Sequence, residues 1–156
     1  MRRIEKILVP VDFSEHSARA LEMAIDLAKT LGAGIQLLHC YQIQPLGISP
    51  YGIALPEGFD SEVRQAAERH VDEWRGKVML EGIDVEVSLS SRFPSLEISE
   101  TASEVGADLI VMGTRGLSGI KHVLLGSVAE RTLRLAPCPV LTVKASGEES
   151  RAPNRP

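Results

Sequence analysis

Apolar and polar positions along the chain alternate between a strand rhythm and a helix rhythm. Ile7 to Val11 is a short β-branched run, followed by the polar turn Asp12-Phe13-Ser14. Ala18, Leu21, Ala24, Ile25, Ala28 and Leu31 then recur on one helical face, with Ser14 able to cap its start and Gly32 or Gly34 its end. A second strand is predicted over Ile35 to Cys40. Asp60 opens a second helix carrying Val63, Ala67, His70, Trp74 and Val78 at helical spacing, closed by Gly82. Ile83 to Leu89 alternates as a strand, and Pro94-Ser95 start a third helix that runs to Gly106. Ala107 to Met112 is a strand apolar almost throughout. Ser127 to Leu135 is helical and stopped by Pro137, and Cys138 to Val143 is the last strand.

This βαβαβαβαβ order predicts a single-domain α/β fold, Rossmann-like, with a five-stranded parallel sheet and helices on both faces. Continuous apolar runs such as Ile7–Val9 and Leu109–Met112 belong at the sheet centre. The alternating third strand, and the fifth with its Pro139, belong at the edges. The expected strand order is 3-2-1-4-5, with the topological switch between strands one and four. Ligands of such sheets bind beyond the carboxyl ends of the strands at that switch. Pro10-Val11-Asp12 and the segment from Gly113 onward are placed there.

Composition changes this picture little. The chain has 156 residues, 44% hydrophobic and 24% charged, with a net charge of −4, which fits one globular domain and advertises neither nucleic acid nor an acidic membrane surface. Cys40 and Cys138 stand far apart without metal-ligand spacing, so two thiols in a reducing compartment are expected. The N-terminus becomes charged too early for a signal peptide, and no apolar run reaches membrane-spanning length. The expectation is a cytoplasmic protein whose folded domain covers residues 1–144 and whose residues 145–156 form a disordered tail. The Pro- and Gly-rich stretch from Tyr41 to Gly58 is longer than an ordinary connection, as functional or disordered loops are.

The informative segment reads Gly113-Thr114-Arg115-Gly116-Leu117-Ser118-Gly119-Ile120-Lys121-His122 and ends Leu125-Gly126-Ser127-Val128. Its glycines let backbone N–H groups approach phosphate oxygens with no Cβ in the way. Gly126-Ser127 stands at a helix start, where unpaired amides and the dipole favour an anion. Arg115 and Lys121 add charge. The same Ser127-Val128-Ala129-Glu130 is also a plain capping box, which needs no ligand, and glycines can simply mark turns.

The spacing Gly113-x2-Gly116-x9-Gly126-Ser127 resembles the nucleotide-binding pattern of the universal stress protein family. Lys6 to about Lys144 is similar to that family throughout, including Ile7-Leu8-Val9-Pro10-Val11-Asp12-Phe13-Ser14, Ala107 to Thr114, Leu124 to Glu130 and Ala136 to Leu141. The resemblance implies ATP, with Mg²⁺, as the ligand. By it, Gly113, Gly116, Gly126 and Ser127 hold the phosphates with Arg115 and Val128 nearby. Asp12 lies by the ribose and phosphates, Val11 and Cys40 flank the adenine, and Pro10 and Met112 complete the set. For Asp12 a cap of the first helix is the alternative role, and for Cys40 an ordinary buried position. The family often has a glycine where this chain has Arg92, two residues before Pro94. The resemblance also implies a homodimer built on the Cys138–Val143 strand, an uncovered edge.

Rival nucleotide folds fail on sequence. No Gly-x-Gly-x-x-Gly follows the first strand, no Gly-x4-Gly-Lys-Ser/Thr occurs, and the third strand ends in Ser88 to Ser91 rather than in the aspartate of a receiver domain. No catalytic constellation can be placed, so slow ATP hydrolysis is the most chemistry expected. The four histidines show no metal spacing; His70 and Trp74 are expected to pack against the sheet. Two functions remain: an ATP-binding, nucleotide-dependent regulatory switch in stress response, or a dimeric interaction module that binds no nucleotide.

Overall fold

A computed structural model of the chain describes residues 3–42, 58–116 and 125–145. The elements follow as β1 Lys6–Pro10, α1 Glu15–Leu31, β2 Gly34–Cys40, α2 Phe59–Leu80, β3 Val85–Ser90, α3 Pro94–Glu104, β4 Leu109–Gly113, α4 Ser127–Leu135 and β5 Val140–Val143. All pairings are parallel, in the order β3-β2-β1-β4-β5. The order expected from strand character is therefore the one formed. β4 is buried along its whole length and β1 at Ile7, Leu8 and Val9, as central strands must be.

Side chains alternating along the strands feed two cores. Ile7, Val9, Ile35, Leu37 and Val111 face α1 and α2, meeting Leu21, Ala24, Val71 and Val78. Leu8, Leu38, Ile110 and Met112 face α3 and α4, meeting Ile98, Ala102 and Ala129. Each layer removes several large aliphatic side chains from water, at about 1.5–3 kcal/mol apiece.

Chain ends of the elements follow local chemistry. Ser14 is the N-cap of α1, its Oγ accepting from Ser17 N–H at 3.2 Å. Between the two glycines offered as its end, Gly32 is the one used, in the left-handed region at φ 68°. β5 is shorter than expected because Cys138 and Pro139 precede it. Pro139 has no N–H for a ladder, yet its carbonyl accepts from Ile110 N–H.

Ala145 is buried, and its N–H donates to His16 Nδ1 at 3.3 Å. The rest of the expected tail lies outside the described residues, as do 43–57 of the long loop and 117–124 of the glycine loop, Lys121 and His122 included. Among the described residues no helix is long and apolar enough to cross a membrane.

Candidate functional site

A cleft of about 1220 Å³ runs along the carboxyl edge of the sheet, where β1 and β4 lie side by side and their helices depart to opposite faces. The end of β1 contributes Pro10, Val11 and Asp12; the end of β2, Cys40; the end of β4, Met112 and Gly113. Arg115 and Gly116 follow β4, and Gly126, Ser127 and Val128 begin α4 on the same wall. All eleven residues predicted for the site thus line one cavity, although they come from separate parts of the chain.

At the start of α4 the structure decides between two readings. A capping box requires Ser127 at the N-cap and Glu130 three residues on. Instead Gly126 is the N-cap (φ −72°, ψ 160°), Ser127 is the first helical residue, and no side chain caps the helix among the described residues. Glu130 turns along the helix to Arg134, 2.7 Å away. The capping box is therefore not formed: Ser127 stands one position too late for its hydroxyl to reach back over the first turn. The amino end of α4 opens onto the cleft with its dipole, and among the described residues no side chain caps it.

The glycines of the loop earn their place first through packing. A Cβ on Gly113 would stand 2.7 Å from His16 Cβ and 2.9 Å from the His16 carbonyl carbon, so α1 and the end of β4 approach each other only because that atom is missing. A Cβ on Gly116 would stand 2.4 Å from Asp12 Oδ2, and one on Gly126 would stand 3.2 Å from the Thr114 carbonyl oxygen. Thr114 O in turn accepts from Gly126 N–H at 2.7 Å, closing the loop's two ends on each other.

Asp12 is not the α1 cap; Ser14 is. Asp12 Oδ1 instead accepts from both Ser14 N–H and Ser14 Oγ, which holds the carboxylate over the helix start. Its other oxygen lies against Gly116. Cys40 lies on the α3–α4 side, partly buried. Burial, with the Glu97 charge second, pushes its thiol up to about 12, so it is a neutral thiol at physiological pH. Arg92, the residue that replaces a glycine of the resembling family, ion-pairs with Glu97 (3.0 Å) and with Glu100, and α3 still begins at Pro94.

Sequence reasoning missed the other wall. Phe13 lines the cleft with a left-handed backbone, φ 64°, the single non-glycine residue with positive φ among those described. Its ring meets His39 (centroids 4.5 Å apart), His70 (5.3 Å) and Trp74 (5.3 Å). His70 and Trp74 therefore pack on Phe13 beyond the strand ends rather than on the sheet alone. His39 Nδ1 lies 2.8 Å from the Val11 carbonyl, which can only accept, so Nδ1 carries the proton. Burial lowers its pKa below the ordinary 6.5, outweighing that carbonyl and the nearby Asp12 charge. No motif announces this cluster; the aromatic side chains at 13, 39, 70 and 74 belong to three different elements. Among the described residues no group of histidine, cysteine or carboxylate side chains is arranged to hold a metal ion.

Comparison with known proteins fits this architecture. The universal stress protein family model matches residues 3–144. Universal stress protein YxiE of Bacillus subtilis is 36% identical over 145 residues, covering 89% of this chain and 98% of its own. The solved structure of MJ0577 of Methanocaldococcus jannaschii superposes with a TM-score of 0.81 at 26% identity, covering 94% of this chain and 99% of that one. A universal stress protein solved in complex with cAMP (TM-score 0.68, 27% identity, 93% and 100% covered) is similar too. So is one from Archaeoglobus fulgidus in complex with dAMP (TM-score 0.65, 25% identity, 92% and 100% covered). With strand order, cleft and sequence in agreement over nearly its whole length, the chain belongs to the universal stress protein family.

Proposed function

We propose that this chain binds ATP with Mg²⁺ in the cleft and acts in the cytoplasm as a nucleotide-dependent regulatory switch in stress response. The observation that carries the reading is the uncapped amino end of α4 facing Asp12 across a cavity lined by all eleven expected residues. An anion at that helix end would satisfy amides of the first turn, which no side chain among the described residues caps. Relatives solved with cAMP and dAMP support an adenine nucleotide as the ligand class. Gly126, Ser127 and Val128 would hold phosphate oxygens, Arg115 would add charge, and Val11 and Cys40 would flank the base. Mg²⁺ needs one or two carboxylates plus phosphate oxygens rather than a protein cage, and Asp12 would supply a carboxylate. Bound nucleotide supplies phosphate charge and, at most, a slowly hydrolysed anhydride; the protein's own part is to hold it.

The test is thermal unfolding with ATP–Mg²⁺, AMP and no ligand. At a hundred times the dissociation constant, ATP should stabilise the fold by about 2.7 kcal/mol, raising Tm by roughly 5–10 °C. No shift at millimolar ATP would sink the reading.

One observation favours the second reading, a dimeric module without nucleotide. Gly113 is already required by the His16 backbone close by, so that part of the glycine pattern would persist with an empty cleft. The dimer itself is common to both readings. β5 pairs with β4 on one side, and Leu141 is 38% exposed on the Cys138–Val143 segment, an open apolar edge suited to a second copy. A monomer by light scattering at micromolar concentration would contradict it.

A further inference from the structure

The cleft is lined from both sides of the sheet's carboxyl edge, which gives it an α3–α4 lobe and an α2 lobe. Alternation along β2 turns Cys40 toward α3 and α4, but His39 toward α1 and α2. Of the nucleotide residues proposed above, Cys40 and Met112 lie on the first side, with the start of α4. The second lobe is walled by Phe13, His39, Val63, Ala66, His70 and Trp74, none of which enters the nucleotide reading. The whole cavity, about 1220 Å³, exceeds the roughly 300–1,000 Å³ typical of a site for one small ligand.

We infer that the α2-side lobe is a second ligand site, taking a planar aromatic molecule with one hydrogen-bond donor beside the nucleotide. Its wall includes the Phe13 ring, set at 45° to 78° to the rings of His39, His70 and Trp74, an aromatic lining suited to a flat guest. Along α2, Val63, Ala66, Ala67, His70 and Trp74 share one face, and the two alanines leave room where a larger side chain would fill the lobe. His39 supplies the polar selectivity. Its Nδ1–H is given to the Val11 carbonyl, and as a neutral imidazole it keeps a lone pair on Nε2. A guest donating to Nε2 is therefore preferred to one that only accepts. Phe13 adds a third sign. A bulky side chain held at φ 64° is strained, and such strain concentrates at ligand sites.

The inference stands without the nucleotide reading and is tested separately from it. The probe is 4-fluorophenol, followed by ¹⁹F line broadening and by the fluorescence of Trp74, the one tryptophan in the chain. The full-length protein should show saturable broadening together with a change in Trp74 emission, both persisting under saturating ATP–Mg²⁺. Ala66→Phe should weaken binding at least tenfold by filling the lobe, with Val63→Phe as the second filling variant should the first not fold. His39→Phe should weaken it about three- to tenfold, the worth of one hydrogen bond. No saturable broadening, unchanged binding in a folded filling variant, or displacement of the probe by ATP would each overturn the inference. Absence of an ATP shift leaves the probe titration intact, so the two readings fail independently.

Discussion

Gly116 lets Asp12 stand where it does: a methyl group on Gly116 would come within 2.4 Å of Asp12 Oδ2. The two residues lie on opposite sides of the switch point, at the ends of β1 and β4, and neither is tied to the other in sequence. What is squeezed is the far end of a side chain, which can rotate away. Gly116→Ala should therefore cost little stability, under about 1 kcal/mol, while displacing the carboxylate proposed to meet the nucleotide. Loss of one charged hydrogen bond predicts ATP affinity lower by roughly tenfold or more, by equilibrium dialysis.

Gly113→Ala should behave in the opposite way. Its methyl group would meet the His16 carbonyl carbon at 2.9 Å, a backbone atom within α1 that cannot swing aside. Destabilisation of about 1–3 kcal/mol is expected, the cost of overpacking, with or without nucleotide present. Urea unfolding of the two alanine variants side by side checks the contrast; equal losses of stability would refute it.

Phe13→Gly relieves the left-handed backbone but deletes a ring that touches three others. Relief is worth about 1 kcal/mol, and removing a half-buried aromatic costs more, so a net loss of about 1–2 kcal/mol is expected. A stabilised variant would mean that the ring contacts contribute little.

His39 makes stability depend on pH with a definite sign. Burial lowers its folded-state pKa below the ordinary 6.5, so as pH falls past 6.5 the unfolded chain takes up its proton first. Stability from this residue is full above 6.5 and declines below it, until the folded pKa is passed. The urea midpoint should fall between pH 7.5 and 5.5 by more in the parent protein than in His39→Gln. Parallel curves would show that His39 titrates alike in both states.

Both thiols should react slowly in the native protein. Burial raises the Cys40 pKa to about 12 and raises that of Cys138 as well, so little thiolate exists at pH 8. Ellman's reagent should titrate two thiols promptly in denaturant and both slowly without it. Fast native modification of Cys40 would contradict its burial in the cleft wall.

Much of this molecule was legible as local pattern. Periodicity alone placed all nine elements to within a few residues, because each must present an apolar face to the sheet or helix beside it. Strand order followed from burial: a strand apolar at every position, such as Leu109–Met112, is covered on both faces and so is central, while Pro139 belongs to an edge. The switch point, and with it the cleft between Asp12 and the Gly113–Ser127 segment, came from the same reasoning.

Tertiary structure decided what depends on distance between residues far apart in sequence. Ser127 was equally fit to cap α4 or to stand inside it, and the backbone angles at Gly126 made the choice. Capping α1 was the alternative role for Asp12, and Ser14 took that place. Gly113 and Gly116 read alike as phosphate-loop glycines, yet one makes room for the His16 backbone and the other for the Asp12 carboxylate. The aromatic wall was invisible because Phe13 reaches His39, His70 and Trp74 only after a left-handed turn and the docking of α2. Sequence thus determined which elements form and where their loops meet, since hydrophobic burial acts residue by residue. Which atoms stand within contact of one another there was settled by packing, which acts between elements.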